Sequence, residues 1–377
     1  MMAIDPLVSL LADLVGIPSM NPMGRGKSGP AYSEAAIAAY VAAYLRKHGV
    51  DTEIDEVVPG RPNVIGSIDA GAEQTLLLEA HLDTVHAESM SIPPFTPEIR
   101  DGRLYGRGAC DTKGSLAAFL YACCSLLEGG RKPRFNIVLL AVADEEYQFK
   151  GALRAIARGL KADFGIAGEP TRLRIVRAHK GVTRWRVVTR GVAAHSAYPE
   201  RGKNAIYRMG HVLARLEEHA LGLRVAVPHP VLGPPSLSVG VIEGGEAVNV
   251  VADRCVIEVD RRTIPGESTE SVLEAVRTVL RDVPGWEIEQ PYLSVGAMEV
   301  PPESPVVGYL SDAVHKETGN VILEAAQYAT DAGIYTGAGI PSVVFGPGDI
   351  AHAHTGAESI DLAELHAASA IITRMIA

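Results

Sequence analysis

Aromatic residues are scarce: Phe, Trp and Tyr together make up 5% of the 377 residues. The core of a chain that is 47% hydrophobic must therefore rest on Ala, Val, Leu and Ile. Cysteine is also rare. Cys110, Cys123, Cys124 and Cys255 form no C-x-x-C pair and no framework spacing, which excludes a disulfide scaffold. Reduced structural thiols in a cytoplasmic protein are expected, and Cys123 and Cys124 fall inside a helical apolar pattern where packing accounts for both. Positive charge is in deficit. The 35 Lys and Arg against 45 Asp and Glu leave −10, which argues against nucleic acid or an anionic membrane as a partner. No run of about 18 apolar residues exists, so a membrane span is not expected. The opening MMAIDPLVSLLADLVGIPS lacks a basic leader, and Asp5 and Asp13 interrupt it, so it reads as an amphipathic helix and not a signal peptide.

Familiar catalytic signatures are missing as well. There is no H-E-x-x-H and no G-x-S-x-G. NPMGRGKSG places Asn21 where a phosphate-binding loop needs Gly, and no strand precedes it, so it reads as a solvated loop. GRGACD has Asp111 where a dinucleotide fingerprint needs its third Gly.

What is present is alternation. SEAAIAAYVAAYLRKHG and SLAAFLYACCSLLEGG carry helical spacing, whereas TLLLEAHLDTV, RFNIVLLAVADEE, ADFGIAGEP and IPSVVFGPGD are short apolar runs broken by polar turns. Such alternation predicts an α/β domain with a mostly parallel sheet flanked by helices. The middle of the chain differs. TRWRVVTRG and DRCVIEVDRRTIPG alternate apolar with charged residues, as strands with one wet face do, and amphipathic helices accompany them. The expected organisation is a catalytic domain split over 1–179 and 291–377, interrupted by an α+β insert over 180–290.

Acidic and imidazole side chains gather where the apolar runs stop. His81 and Asp83 close the first; Asp144, Glu145 and Glu146 the second; Glu169 the third. His352 and His354 follow the fourth, and Asp111 sits in a Gly-rich loop before a helix. In an open α/β sheet the carboxyl ends of the strands form the ligand crevice, so these groups should share one rim. Crowded carboxylates raise one another's pKa values, and divalent cations relieve that repulsion. Two ions carry four positive charges, which three carboxylates and one hydroxide balance. Ions roughly 3.5–4 Å apart polarise a carbonyl and generate hydroxide near neutral pH.

HLDTV, GRGACDTKGSLAAFL, ADEE, GEPT, GVAAHSAYPERGKNAI, NVVAD, VDRRTIPGES, ATDA and GPGDIAHAHTGAE, in this order, resemble the M20 family of co-catalytic metallohydrolases. The resemblance implies two divalent ions, Zn²⁺ as first choice with Co²⁺ or Mn²⁺ as alternatives. His81 and Glu169 would hold one, Glu146 and His354 the other, and Asp111 would bridge. Glu358, four residues after His354, selects His354 over His352. Asp83 would hydrogen-bond the free nitrogen of His81, and Glu145 would serve as general base. His195 would stabilise the oxyanion from across a homodimer formed through the insert, a ferredoxin-like dimerisation or lid domain. Arg262 and Asn249 would hold the substrate carboxylate. Gln148, where the family usually has Gly, and His86, where Pro is common, bear on specificity. The implied reaction is hydrolysis of the amide of an N-acyl amino acid, N-acetylornithine-type deacetylation first. Succinyl-diaminopimelate desuccinylation and carboxypeptidase or aminoacylase action on short peptides are the alternatives. A metal-stabilised binding protein would lack the base, and Glu145 is present.

Overall fold

The computed structural model describes residues 5–377. The expected first helix is Pro6–Gly16, and residues 1–4 of that stretch lie outside the described residues. Asp5 caps it, accepting from the amides of Leu7 and Val8 at 2.9 and 3.2 Å, and Pro6 stands where a missing N–H costs nothing.

The chain divides into two compact units, the first comprising Met1–Arg177, Val300–Glu324 and Thr330–Ala377. Its sheet is parallel at the centre. Thr75–His81 lies between Asn136–Val142 and Phe164–Ala167, and Ser342–Val344 follows. Antiparallel strands extend both ends: Arg61–Ile68 and Asp51–Val58 on one side, Ile175–His179 on the other. The central strands are apolar without alternation because both faces are covered. Leu77 packs with Ala152, Ala155 and Tyr335, whereas Leu78 and Ala80 face Val41, Leu45, Leu116 and Phe119. With four parallel strands side by side, the loops after His81, Val142, Ala167 and Val344 leave the sheet at the same edge.

The second unit comprises Ala178–Glu299 and Ala325–Ala329. Its antiparallel sheet runs Ser236–Gly244, Arg254–Thr263, Gly181–Arg190, Trp286–Ile288, the ferredoxin-like order. Trp185, Val187, Ile257 and Val259 point to helices Ala205–Val225 and Thr269–Leu280, meeting Met209, Val212, Val272 and Val276. On the opposite face the directly opposed pairs Arg184–Asp260 and Arg186–Glu258 form ion pairs at 2.7 and 2.9 Å. This is the wet face that the alternation predicts.

The unit boundaries fall at 177/178 and 299/300, not at 179/180 and 290/291. Leu293–Val295 pairs with the Gly181–Arg190 strand, and Met298–Glu299 pairs with Ala178 and His179, which keeps both segments in the second unit. Strands of two or three residues are too short to show a period. Among the described residues no helix is long and apolar enough to cross a membrane.

Candidate metal centre

The Thr75–His81 strand ends by delivering a 1% exposed imidazole. His81 Nδ1 lies 2.8 Å from the carbonyl oxygen of Asp83. A carbonyl only accepts, so Nδ1 carries the hydrogen and Nε2 is aimed at Asp111 Oδ1, 3.0 Å away. This corrects the expectation for Asp83, whose backbone, not its carboxylate, orients His81; the carboxylate Oδ1 is 3.7 Å from Nδ1. Instead that carboxylate accepts from the amides of Glu145 and Glu146 at 3.1 and 3.2 Å, and from Asn21 Nδ2 at 2.7 Å. The ladder stops at His81, so strand alternation no longer governs where Asp83 points.

Asp111 sits in the loop before helix Lys113–Glu128, and the loop is built around Glu358. Glu358 is fully buried; Oε1 accepts from the amides of Cys110 and Asp111 at 3.0 Å each, and Oε2 accepts from Arg107 at 2.6 Å. Gly108 adopts φ +82° here, and a Cβ on it would lie 2.7 Å from Thr84 Cγ2. So held, Asp111 presents one oxygen to each imidazole: Oδ1 to His81, and Oδ2 to His354 Nε2 at 3.2 Å. His354 also approaches Glu146 Oε1 at 3.2 Å, from a left-handed backbone at φ 60°. His352 is exposed, in a short turn ahead of it.

The ligand atoms of His81, Asp111 and Glu146 lie within 4.8 Å of one another, as do those of His81, Glu145 and Glu169. The electrostatics follow from burial. It pushes Glu145 well above the ordinary carboxylate range, with Glu169 adding repulsion, and does the same to Glu169, with Asp111 adding. Glu146 is raised by burial and by Asp111. Burial opposes ionisation of Asp111 too, yet hydrogen bonds from His354 and His81 hold it low. The bonds to Asp111 and Glu146 push His354 up to about 10. For His81 burial favours the neutral ring, but the bond to Asp111 together with the charges of Glu145 and Glu169 outweighs it and the group is raised. A closely set group of carboxylates that stay ionised only against imidazolium is the donor chemistry that a pair of divalent cations suits.

Several contributors lie beyond the strand-end pattern. Asn21 is fully buried although the loop after it is solvated from Gly24 onward. Arg61 and Glu34 form a buried ion pair beside it. Glu79 and Asp331 are buried acids whose charges repel each other, and burial raises both, Asp331 to about 7. Glu79 shows only as a polar break in an apolar strand, and Asp331 shows only as part of the ATDA segment, with no role attached to it.

In the second unit, His195 and Asn249 come together: His195 bridges Val250, and the Ser196 amide donates to the Asn249 carbonyl at 3.0 Å. Both side chains are exposed. Arg262 lies on the wet face of the sheet, its Nε donating to Asp260 at 2.9 Å.

The fold and the donor set together define a metal-dependent hydrolase. Residues 77–377 match Peptidase family M20/M25/M40, and the chain belongs to that family. It is 34% identical to an acetylornithine deacetylase of Myxococcus xanthus over 99% of this chain and 98% of that one. It is 28% identical to an N-formyl-4-amino-5-aminomethyl-2-methylpyrimidine deformylase of Bacillus subtilis, over 96% and 91%. An M20 metallo-carboxypeptidase of Sulfolobus solfataricus superposes with a TM-score of 0.80 at 21% identity, covering 99% of this chain and 98% of that one. The protein is thus an enzyme of the amide-hydrolysing class.

Proposed function

We propose that this enzyme deacylates N-acyl amino acids, with N-acetylornithine-type deacetylation as its first activity, using two divalent ions of which Zn²⁺ is the first choice. The observation that carries the reading is the division of Asp111, one oxygen toward His81 and the other toward His354. His81 and Glu169 would hold one ion and Glu146 and His354 the other, with Asp111 between them. When bound, such a pair polarises the scissile carbonyl and lowers the pKa of water.

The chain's own residues supply the rest. Glu145 is buried beside His81 and Glu169 with a raised proton affinity, which suits a carboxylate that accepts a proton from the attacking water and gives it to the leaving amine. Asp83 fixes that residue by its backbone amide and fixes His81 by its own carbonyl. His195 is assigned to the developing oxyanion, and Arg262 with Asn249 to the substrate carboxylate, for which a guanidinium fork is the matching shape. The 34% identical deacetylase supports acetyl as the acyl group; the deformylase supports a site tolerant of other small acyl groups.

A homodimer through the second unit is part of the proposal. Ser236–Gly244 pairs on one side only, with Arg254–Thr263, and Val241 and Ile242 on it are 44% and 54% exposed. Four buried, unpaired cysteines support a reducing, cytoplasmic setting.

The test is a panel of N-acetyl, N-formyl and N-succinyl amino acids and dipeptides, assayed after chelation and after reloading with Zn²⁺, Co²⁺ or Mn²⁺. An N-acetyl amino acid with a cationic side chain should be the fastest, and only in loaded protein. Preference for N-succinyl substrates or dipeptides would move the assignment to desuccinylase or carboxypeptidase, and no turnover of any amide would overturn it.

A further inference from the structure

Behind the turn that carries Glu145 and Glu146 lies a buried ionic clamp. Arg61, at the start of Arg61–Ile68, is 8% exposed. Its Nε and Nη2 donate to the two oxygens of Glu34 at 2.7 and 2.5 Å, and its Nη1 donates to Asp144 Oδ1 at 2.7 Å. Glu34 Oε1 also accepts from the backbone amide of Asp144 at 3.2 Å. Asn21 Nδ2 reaches Asp144 Oδ1 at 3.0 Å and Asp83 Oδ2 at 2.7 Å, tying the clamp to the carboxylate that holds the next two amides.

Three of these bonds end on one residue with an unusual backbone, Asp144. Asp144 has φ 68°, a left-handed conformation that side-chain-bearing residues keep only where their surroundings hold them there. It is the hinge at which the strand Asn136–Val142 gives way to Glu145 and Glu146. A rotation at this point would swing both carboxylates. Three simultaneous bonds in one plane also require arginine, because an ammonium is a point charge without a fork.

We propose that Arg61 is a positioning residue: with Glu34 it locks Asp144 in the left-handed conformation and so sets the aim of Glu145 and Glu146 from behind. Its guanidinium bonds to Glu34 and Asp144, and to none of His81, Asp111, Glu146, Glu169 and His354. The inference rests on the reading of Glu145 as proton carrier and Glu146 as metal ligand.

The experiment compares wild type with Arg61→Lys, which keeps the charge and loses the fork, and with Glu34→Gln, which keeps the shape. Four quantities are read: kcat, KM, the visible spectrum of the Co²⁺-loaded protein, and amide exchange in 143–149 against 136–142. For both variants kcat should fall about 100-fold, the effect of a displacement near 1 Å. KM should stay within about threefold, since binding groups are untouched. The Co²⁺ bands should shift, and exchange should speed up in 143–149 alone. Wild-type kcat and spectrum in Arg61→Lys would overturn the proposal. So would faster exchange spread evenly over 136–149, which marks a merely structural ion pair. If wild type itself hydrolyses no amide, the functional reading fails, and local exchange with the Co²⁺ spectrum still decides the clamp.

Discussion

Metal loading should expel protons in a number set by the two imidazoles. In the metal-free protein His354 stays protonated to about pH 10 through its bonds to Asp111 and Glu146, and His81 is raised through Asp111. At pH 7.5 His354 is therefore imidazolium, and each ring must give up any proton on its ligating nitrogen to become a ligand. Loading both sites should release at least about one proton, from His354, with more from His81, whose proton affinity is raised, and from whichever of Glu145, Glu146 and Glu169 burial keeps protonated. Because the metal-free form holds these protons, apparent affinity must weaken as pH falls. The slope is about tenfold, or about 1.4 kcal/mol, per proton and per pH unit. Calorimetric titration with Zn²⁺ at pH 7.5 in two buffers of different ionisation enthalpy gives the proton count directly. His354→Gln should lower that count by about one and leave a single tight site. Release of fewer than one proton by wild type, or an unchanged count in His354→Gln, would refute the assignment of the imidazoles as ligands.

Glu145→Gln should keep both ions, measured by elemental analysis, and lose kcat by about 10²–10⁴-fold, the contribution of a positioned base; near-normal turnover would place the proton carrier elsewhere. Glu358→Gln should lower the melting temperature, because it weakens the partner of fully buried Arg107, and breaking a buried pair costs about 3–5 kcal/mol as an upper figure. The same variant should loosen metal binding through the Asp111 loop; intact metal affinity would show that the loop stands without it. For Asp331 the folded pKa, about 7, exceeds the unfolded value of 3.8, so the folded state holds the extra proton and stability falls as pH rises through that window. Asp331→Asn should therefore stabilise the metal-free protein at pH 8 by up to about 4 kcal/mol and change little near pH 4, which denaturant melts at the two pH values would check.

Most of the parts of the centre that the sequence makes visible close a strong apolar run. His81, Glu145, Glu146 and Glu169 follow strands whose burial on both faces leaves an uninterrupted hydrophobic signal, and Asp111 follows glycines that only a tight loop needs. The alternation of the insert likewise announces its wet face, through Arg184, Arg186, Glu258 and Asp260. What stays hidden depends on partners far away in the chain. Asn21 meets residues 62 and 123 positions on, and Arg61 meets Asp144 from 83 positions away, so neither carries a local pattern. Asp83 misleads for a different reason. The family resemblance implies a carboxylate contact to His81, whereas a backbone carbonyl makes that contact once the strand has ended. Glu358 is visible only as a spacing mark; that it builds the Asp111 loop requires knowing that residue 358 returns to residue 110.

That return has a consequence for how the protein comes into being. Chains emerge from the ribosome at about 5–20 residues per second, and compact units fold as they become available. Glu358 and His354 lie beyond the whole ferredoxin-like unit, so His81, Asp111, Glu146 and Glu169 wait through its synthesis without the acceptor that shapes their loop or the second imidazole. The interrupting unit, whose main segment runs from Ala178 to Glu299, has all of its main strands and both helices by then. Assembly of the candidate metal centre is thus a late event in biosynthesis, and a nascent chain stalled before residue 354 offers only a partial donor set to any passing cation.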